Sequence, residues 1–566
     1  MADLSIEKYL RKHAELSERK RPWNIHFQRL AEAFLTRKRS FTSTISPGEF
    51  LYDDVFDNTG EHAAFTAASV FLSMLWPDSS RTFELKPVRE LKGKPGVEKY
   101  FRFCTEQQRR YMDAPRAGLL IALQEFEIDM QIFGTAGVGA FDGPDESTPV
   151  VFEAWGIKEM CISENAQGFV DQIYTLWPYT VRQMLEEYGK ENVHPDVVKA
   201  YSEGRGEEKM EVLKIIEPRS IVDQKPDTGV RGMPIRTVHI DVKNRVIMRE
   251  SGYAEFPVAV GRMIKTIGEE MGRSPAMTAL PDVGSLNALK EAVIVATEKQ
   301  LDPPLAVLDD GRLGGGFIDT SAGALNVFNA SGRLTGDKPV FPLFTVGEMQ
   351  SAEKLEEKFK EAIMQAFSLD RLLDLNNQTQ MTAYETSVRN RMRGEALGAM
   401  FARQKMEVFT PLIERTFNIL FRKGYFSPEA YGEDIPADVQ AFIEAGKDVY
   451  EVEFISPAQR FMQSEKLQGI YETAEFFSKM SVVPGMEAIA DNLDLDETAD
   501  FVVKYSGAPI AVLRTDADRD AIREGRRQAQ EAQAKLAAAQ QVSEVARNAG
   551  QASMAFQGGG GGAAGK

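Results

Sequence analysis

The chain has 566 residues, of which 43% are hydrophobic and 27% are charged, so it is long enough for several globular domains. Its formal net charge of −17 argues against a protein that coats DNA with a broad basic face, although a closed conduit for DNA can be acidic. Residues 1–40 are locally basic, with ten Lys/Arg against five Asp/Glu. This end predicts either a solvated helix face or an arm that touches phosphate or an acidic partner.

The cysteine content and the apolar runs predict a protein of the reducing cytosol with no membrane contact. Cys104 and Cys161 are too few for a disulfide framework and are expected to be buried apolar residues. No secretory signal opens the chain, and no apolar run reaches the eighteen or so residues of a membrane span. Ala63 to Trp76 comes nearest and predicts a core helix.

Helical patterns dominate the first quarter of the chain. Residues 4–39 predict two helical pieces separated at Pro22, and further helices are expected over 97–113 and 117–133. The segment from Tyr52 to Gly60 predicts a turn that holds three aspartates. It lacks the ligand spacing and the closing glutamate of a calcium loop, so no metal site is predicted there.

Residues 149–260 predict a mixed α/β body. Apolar residues alternate with polar ones over 238–242 and again over 246–248, which predicts a β-hairpin. Pro178 to Tyr188 predicts a helix between strands.

A helix, an insert and a return helix are predicted next. The first helix ends at Asp302-Pro303-Pro304, because proline disfavours helix in the residue before it. Residues 305–344 favour short strands and turns, and a capping box from Thr345 to Glu348 begins the return helix. A polar break from Leu375 to Gln380 follows it.

The longest predicted helix covers Thr382 to Gly424, with a capping box at its start and a glycine as its natural stop. Pro411 predicts a kink near residues 407–411, because proline lacks an amide hydrogen and clashes with the preceding turn. Arginines such as Arg415 are expected on its surface. The helix cannot bury its apolar stripe alone, so other segments or neighbouring subunits must pack against it. The residues expected at subunit contacts are Val388, Met392, Met400 and Leu412.

Helical patterns continue over about 457–505, and a solvated Ala/Gln-rich helix from Thr515 fades into a disordered glycine-rich tail. No catalytic pattern accompanies them. The five histidines show no metal-ligand spacing, and there is no GxSxG motif. Gly311 to Gly316 lacks the GK[ST] ending of a phosphate loop and favours a flexible turn. We therefore predict no enzyme activity, no cofactor and no metal.

Four groups of residues, in this order and spacing, resemble the head-to-tail connector (portal) proteins of short-tailed, T7-like phages, the podoviruses. The first group is Asp57-Asn58-Thr59-Gly60 with Leu75-Trp76-Pro77. The second is Gly272-Arg273-Ser274-Pro275, Ala279-Leu280-Pro281-Asp282, Leu286-Asn287 and Asp302-Pro303-Pro304-Leu305. The third is Met381-Thr382-Ala383, Glu385, Arg389, Leu397-Gly398, Glu407, Pro411-Leu412-Ile413 and Arg415. The last is Phe454-Ile455-Ser456-Pro457.

The resemblance implies an α+β, predominantly helical portal fold that forms a ring of about twelve subunits at one capsid vertex. It divides the chain into an N-terminal arm and wing (1–283), a stem helix (284–302), a clip (303–344), a second stem helix (345–373), a channel loop (374–381), a long kinked wing helix (382–424), a crown (425–515) and an Ala/Gln-rich helix with a glycine-rich tail (516–566).

The resemblance also implies partners: double-stranded DNA in the channel, a terminase that supplies the energy of packaging, tail adaptor or nozzle proteins, and capsid and scaffolding proteins. The expected place is the virion, after assembly in the host cytoplasm. Uncharged polar side chains in the channel loop suit sliding contact with phosphates, whereas cationic ones would hold DNA. These residues are Asn376, Asn377, Gln378, Thr379 and Gln380. A plain interhelical loop without DNA contact, a tail adaptor ring and an enzyme that acts on nucleic acid remain alternatives.

Overall fold

The computed structural model describes most of the first 455 residues and short segments beyond them. The described residues are 2–35, 40–42, 54–77, 82–219, 229, 232–309, 318–329, 340–343, 350–372, 398, 400–455, 466, 469–479, 498–499, 501–503, 519 and 521–535. The chain divides into two compact units, Met1–Met462 and Gln463–Lys566.

Helices and sheets alternate in the first unit. Its helices up to residue 372 are α1 (Ala2–Phe34), α2 (Thr59–Leu75), α3 (Val97–Met112), α4 (Leu119–Phe133), α5 (Val181–Tyr188), α6 (Pro195–Ser202), α7 (Pro275–Leu301), α8 (Gln350–Ala366) and α9 (Leu369–Leu372). After them come a π-helical turn (Lys405–Phe409), α10 (Thr410–Arg422), α11 (Pro428–Tyr431) and α12 (Ala437–Glu444).

Fifteen strands are described. They are β1 (Phe83–Pro87), β2 (Thr135–Asp142), β3 (Val150–Trp155), β4 (Met160–Glu164), β5 (Val170–Thr180), β6 (Lys209–Pro218), β7 (Ile235–Asp241), β8 (Val246–Tyr253), β9 (Val258–Arg262), β10 (Ile264–Lys265), β11 (Gly272–Arg273), β12 (Leu305–Asp309), β13 (Leu325–Asn329), β14 (Val340–Pro342) and β15 (Tyr450–Phe454).

Two antiparallel sheets form the α/β body. One has the strand order β4-β5-β6-β7-β8, and the predicted hairpin over 238–248 is its β7–β8 pair, with Asp241 opposite Val246. The other has the order β3-β2-β9. Its central strand β2 comes after α4, and six of its eight residues are buried. The predicted mixed α/β body is therefore confirmed.

The apolar core lies where helices cover these sheets. The predicted core helix at Ala63 is α2, and five of its alanines and aromatics are almost fully buried: Ala63, Ala64, Ala67, Ala68 and Phe71. Both cysteines are buried free thiols, as predicted. Burial raises the pKa of Cys104 to about 12, so this thiol is an inert core group rather than a nucleophile.

Two sequence-based boundaries are wrong. α1 runs without a break from Ala2 to Phe34 with Pro22 inside it, whereas two helical pieces were expected. Its buried face, which includes Leu16 and Phe27, continues across the proline, so packing outweighs the lost hydrogen bond. Pro178 belongs to β5, and the helix that follows begins at Val181 behind a complete capping box on Thr180 and Gln183.

Residues 425–455, predicted as the start of the crown, pack into the core of the first unit. β15 pairs antiparallel with β1, so that Phe454 lies opposite Phe83. Phe454 and Val439 belong to the same buried cluster as α3 and α4. In the second unit, residues 469–479 and 521–535 are helical and largely exposed.

Candidate functional site

α7, the strands after it and α8 form a helical hairpin, which we call the stem hairpin (residues 284–366). Ser274 caps α7 by accepting a hydrogen bond from the Met277 amide, and Pro275 occupies its first turn. α7 ends at Leu301, directly before Asp302-Pro303-Pro304, as predicted. The predicted insert forms a three-stranded sheet in which β12 pairs with β13 in parallel and with β14 antiparallel.

The two helices of the stem hairpin contact each other through an ion-pair cluster. The Glu356 carboxylate of α8 accepts from the amines of Lys290 on α7, at 2.5 Å, and Lys360, at 2.6 Å. These two hydrogen bonds lower the pKa of Glu356. The predicted capping box from Thr345 to Glu348 lies outside the described residues.

Apolar side chains of the stem hairpin change from buried to exposed with distance from the core. Val283, Leu286 and Ile363 are buried at its base. The half that carries the sheet exposes a set of large apolar side chains: Ile294, Val295, Leu301, Ile318, Leu325, Val340, Phe341 and Leu355. Exposed apolar side chains that form a contiguous patch often mark interaction sites. We call it the apolar stem surface.

The predicted site residues fall into two groups. The channel-loop residues Asn376 to Gln380, together with Val388 and Met392, lie outside the described residues. Met400 is half-buried and packs on the core of its own chain. Leu412 is 1% exposed and belongs to that core, so its own chain already accounts for its burial.

The described part of the long helix runs from residue 400 to Arg422 and contains one π-helical turn, Lys405–Phe409. The turn lies in the region where Pro411 predicted an irregularity. Gly424 terminates the helix with φ 81°, as predicted. Its amide bonds to the Phe421 carbonyl, and the next amide, of Tyr425, bonds to the Leu420 carbonyl. This pattern is a Schellman motif.

A buried ion-pair network fixes the π turn to β9. Glu407 accepts from the Arg262 backbone amide at 2.9 Å and from Arg262 Nη2 at 2.8 Å. The Arg262 guanidinium, only 1% exposed, also pairs with Glu164, and Arg403 reaches Glu407 at 3.0 Å. Lys265 completes the network by pairing with Glu164. We call these five side chains the helix anchor.

A second buried arginine holds the other half of the helix. Arg415 was expected on the surface, but its side chain is 3% exposed. Its Nε donates to the Ala140 carbonyl at 2.7 Å, and its Nη1 pairs with Glu255 at 3.2 Å. Burial lowers the pKa of Arg415, although the nearby Glu255, Tyr253 and Asp142 oppose part of this shift. The expectation was wrong because helical periodicity does not show that the Ala140 carbonyl of β2 lies beside this face of the helix.

The first and second groups of resemblance residues meet in space. The Asn287 side chain accepts from the Phe56 amide at 2.7 Å and the Asp57 amide at 3.2 Å, and donates to the Asp54 carbonyl at 2.9 Å. Asp57 in turn accepts from the Thr59 amide at the start of α2. One α7 side chain therefore orders the turn that leads into α2.

No arrangement for catalysis appears among the described residues. They contain no group of three or more His, Cys, Asp or Glu side chains placed to hold a metal ion. An open groove of about 600 Å³ lies between α1 and the β10–β11 hairpin. Four of its charged residues are paired with one another, Arg19 with Glu270 and Arg273 with Glu269. Within the described chain, no helix has the length and apolar character to cross a membrane.

The stem hairpin lies between the α/β body and the long helix in chain order. Residues 7–513 match the model of a family described as "Bacteriophage head to tail connecting protein". The chain belongs to this family. The match covers the α/β body, the stem hairpin and the long helix, and it ends within the second unit.

Two relatives match over nearly their full length. The chain is similar to a probable portal protein of Bordetella phage BPP-1, with 26% identity over 506 residues, 88% of this chain and 87% of the relative. It is also similar to the portal protein of Salmonella phage epsilon15, with 24% identity over 546 residues, 94% of this chain and 93% of the relative.

Solved structures of gene transfer agent particles are more distant. The neck of an empty particle matches with 12% identity and a TM-score of 0.35, over 82% of this chain and 95% of the other. A native particle matches with 13% identity and a TM-score of 0.29, over 79% of this chain and 99% of the other. At these TM-scores the two structures support no structural argument.

Several residues that organise the site carry no signal in the sequence. Arg262, Glu164 and Glu255 are separated by many residues from the helix they hold, and isolated charges are usually solvated. Glu407 and Asn287 were singled out only through the resemblance. Only the structure indicates their roles. Glu407 accepts a hydrogen bond from the backbone amide of Arg262, and Asn287 accepts one from the backbone amide of Phe56.

Proposed function

We propose that this chain is a portal protein that assembles as a closed ring of about twelve copies at one capsid vertex. Double-stranded DNA passes through the ring during packaging and ejection. Membership of the head-to-tail connecting family carries the proposal, and the two relatives named as portal proteins match along almost their whole length. This near-complete match favours a portal over a tail adaptor ring.

The apolar stem surface supports assembly from copies of the same chain. Rotational symmetry turns two different patches of one chain into a repeated interface that closes on itself. Leu301 is 82% exposed and Leu355 is 44% exposed, on the two helices of the stem hairpin. In a ring, neighbouring copies cover these side chains and remove their apolar surface from water.

The proposed domain layout assigns the stem hairpin to stem and clip. The stem helices take residues 284–302 and 345–373, and the clip takes 303–344. The wing takes residues 1–283 and the long helix 382–424. Residues 425–455 lie against the wing through the β1–β15 pair, so we place the crown in the part of 425–515 that follows them.

Residues 374–381 are proposed to line the channel. They contain two asparagines, two glutamines and a threonine, and no Lys or Arg. Neutral polar groups contact phosphates without the salt-dependent hold of cations. Lysine substitutions at Asn377 and Gln378 are expected to slow DNA passage in a salt-dependent manner, whereas Ser substitutions are neutral. Equal rates for both pairs would contradict this assignment.

The proposed partners follow from the place of the ring. A terminase ATPase docks at the clip during packaging, tail adaptor or nozzle proteins replace it afterwards, and capsid and scaffolding proteins surround the wing. The protein itself is proposed to be structural rather than an enzyme. Its place is the portal vertex of the virion, and assembly occurs in the host cytoplasm.

The experiment is electron microscopy of the purified full chain with matched variants. The unmodified chain should give rings with a central hole, whereas a Leu301→Asp, Leu355→Asp variant should remain a folded monomer, because it places charges in the covered surface. Ile121→Asp, at an apolar residue that is 66% exposed on α4, is the control and should still form rings. A persistent monomer of the unmodified chain would overturn the proposal. Localisation of the rings to the tail rather than the capsid vertex would favour the adaptor alternative.

A further inference from the structure

The π-helical turn contains one residue more than an α-helical turn would hold. The Thr410 amide bonds to the Lys405 carbonyl, five residues earlier. Pro411 follows at once, in the first turn of α10. A proline ring clashes with the carbonyl four residues before it, and a wider turn relieves that clash. The extra residue is therefore held in the helix just before the proline.

The helix after the turn is fixed in place. Arg262 holds Glu407, and Arg415 donates to the Ala140 carbonyl. Gln108 of α3 donates to the Ile413 carbonyl at 2.7 Å. These are buried and partly charged hydrogen bonds, which are costly to break. Any shift of the helix must therefore occur before Glu407.

The helix before the turn meets a poorly paired polar cluster. Gln404 is 0% exposed, and its amide nitrogen lies 3.4 Å from Glu127 Oε2 on α4. Its own Oε1 has no hydrogen-bond partner, and the same is true of Glu127 Oε1 and both amide atoms of Gln131. Buried polar atoms without partners destabilise a folded chain. This cluster therefore favours any arrangement that supplies a better partner.

We propose that the helical segment 400–405 shifts by one residue toward its amino end, which places the Lys405 amine beside Glu127 in the position that Gln404 holds here. Removal of the π bulge while α10 stays fixed requires this replacement, because each preceding residue then moves into the place of its predecessor. The long helix thus has two registers, one with the π turn and one that is α-helical throughout its described length.

The shift gains some contacts and loses others. In the shifted register, the Lys405 amine pairs with the buried Glu127 carboxyl. Burial raises the pKa of Glu127 to about 8 in the present register, and it lowers the pKa of Lys405. Against this gain, Phe401 leaves its contact with Phe71, where the ring centroids are 5.2 Å apart, and Ala402 takes its place. Lys405 also leaves the Phe454 ring, 4.9 Å away.

The first test deletes Met406, whose side chain is 51% exposed, so that the helix loses the extra residue while both flanking segments keep their places. Hydrogen exchange of amides 400–410 should be at least about tenfold faster in the unmodified chain than in this deletion variant, because the shift opens the turn. Glu127→Gln should also slow this exchange in the full-length chain. Amides 415–422 are the internal control and should not change. Equal exchange over 400–410 in the unmodified and deletion chains would overturn the proposal.

A second variant keeps the proposal falsifiable if the deletion prevents folding. Pro411→Ala removes the clash that holds the π turn and restores a backbone donor. Its crystal or cryo-electron microscopy structure should show an α-helix over 400–422 with Lys405 beside Glu127. A Pro411→Ala structure that retains the π turn, with Gln404 still beside Glu127, would refute the two-register proposal. Neither experiment depends on ring formation or on DNA.

Discussion

Removal of the Glu407 carboxylate should loosen the long helix from the α/β body. Glu407→Ala deprives Arg262 of the acceptor for its backbone amide and for two guanidinium nitrogens, at 2.9, 3.3 and 2.8 Å. The Arg262 side chain is 1% exposed and the Glu407 side chain 3%, so these bonds are shielded from bulk water. The variant therefore leaves a buried cation with fewer partners.

The cost follows from what remains around Arg262. Breaking a buried ion pair by removing one partner costs about 3–5 kcal/mol. Glu164 and the Gly168 carbonyl still contact the guanidinium in the variant, so we expect the lower limit, about 3 kcal/mol. The double variant Arg262→Met, Glu407→Leu removes both charges. It should lose less than the sum of the two single variants, because no uncompensated charge remains.

Hydrogen exchange of peptides from 401–422 measures this cost locally, which suits a chain with two compact units that need not unfold together. A loss of about 3 kcal/mol corresponds to roughly hundredfold faster exchange where exchange requires opening of this segment. Glu186→Ala is the control. It removes a pair with Arg182 in which the side chains are 63% and 46% exposed, and it should change stability by about 0–1 kcal/mol. Glu407→Ala exchange no faster than that of Glu186→Ala would refute the reasoning.

Three further predictions concern single positions. The Gly134→Ala variant should unfold at a lower urea concentration than the Gly93→Ala variant. Both glycines have positive φ, but only at Gly134 would an added Cβ meet the Arg273 backbone, at 2.6 Å. Equal urea midpoints would contradict this prediction. Burial raises the pKa of Glu127 to about 8 in the folded chain, whereas the unfolded chain has the ordinary, lower pKa. The contribution of Glu127 to the free energy of unfolding therefore becomes more unfavourable as pH rises between these two values. Glu127→Gln should stabilise the fold increasingly over that range, and a pH-independent difference between the two chains would refute this prediction. Met400→Asp places a charge against the core and should lower the free energy of unfolding by about 1–3 kcal/mol in urea titrations, whereas an unchanged value would show that this face is solvated.

The elements with strong local signals were predicted well. Asp302-Pro303-Pro304 ends α7 because proline disfavours helix in the residue before it and two prolines follow in succession, and Gly424 ends the long helix because glycine adopts positive φ without strain. The hairpin over 238–248 followed from alternation alone. In each case a few neighbouring residues determine the outcome, so distant parts of the chain do not need to be known.

The misassigned features depend on partners far along the chain. Pro22 does not interrupt α1, because α1 packs on the body; Lys20, in the preceding turn, donates to the Ile157 and Lys158 carbonyls at 2.6 and 2.7 Å. At least one basic residue of the amino end, Lys20, thus binds backbone carbonyls of its own chain. Arg415 was assigned to the surface by the same local reasoning, and a carbonyl 275 residues away decides its burial.

Three of the residues that carry the family resemblance form hydrogen bonds at joints between elements. Asn287 ties α7 to the turn before α2, Ser274 caps α7 and donates to the Ile132 carbonyl of α4, and Glu407 ties the long helix to β9. None of the three lies on the apolar stem surface. A chain that must present the stem hairpin and the long helix in a fixed relation to its body needs such joints to be polar, because a hydrogen bond fixes direction whereas apolar contact permits sliding. Substitution at a joint should therefore alter the angle between elements before it alters the chain's capacity to associate.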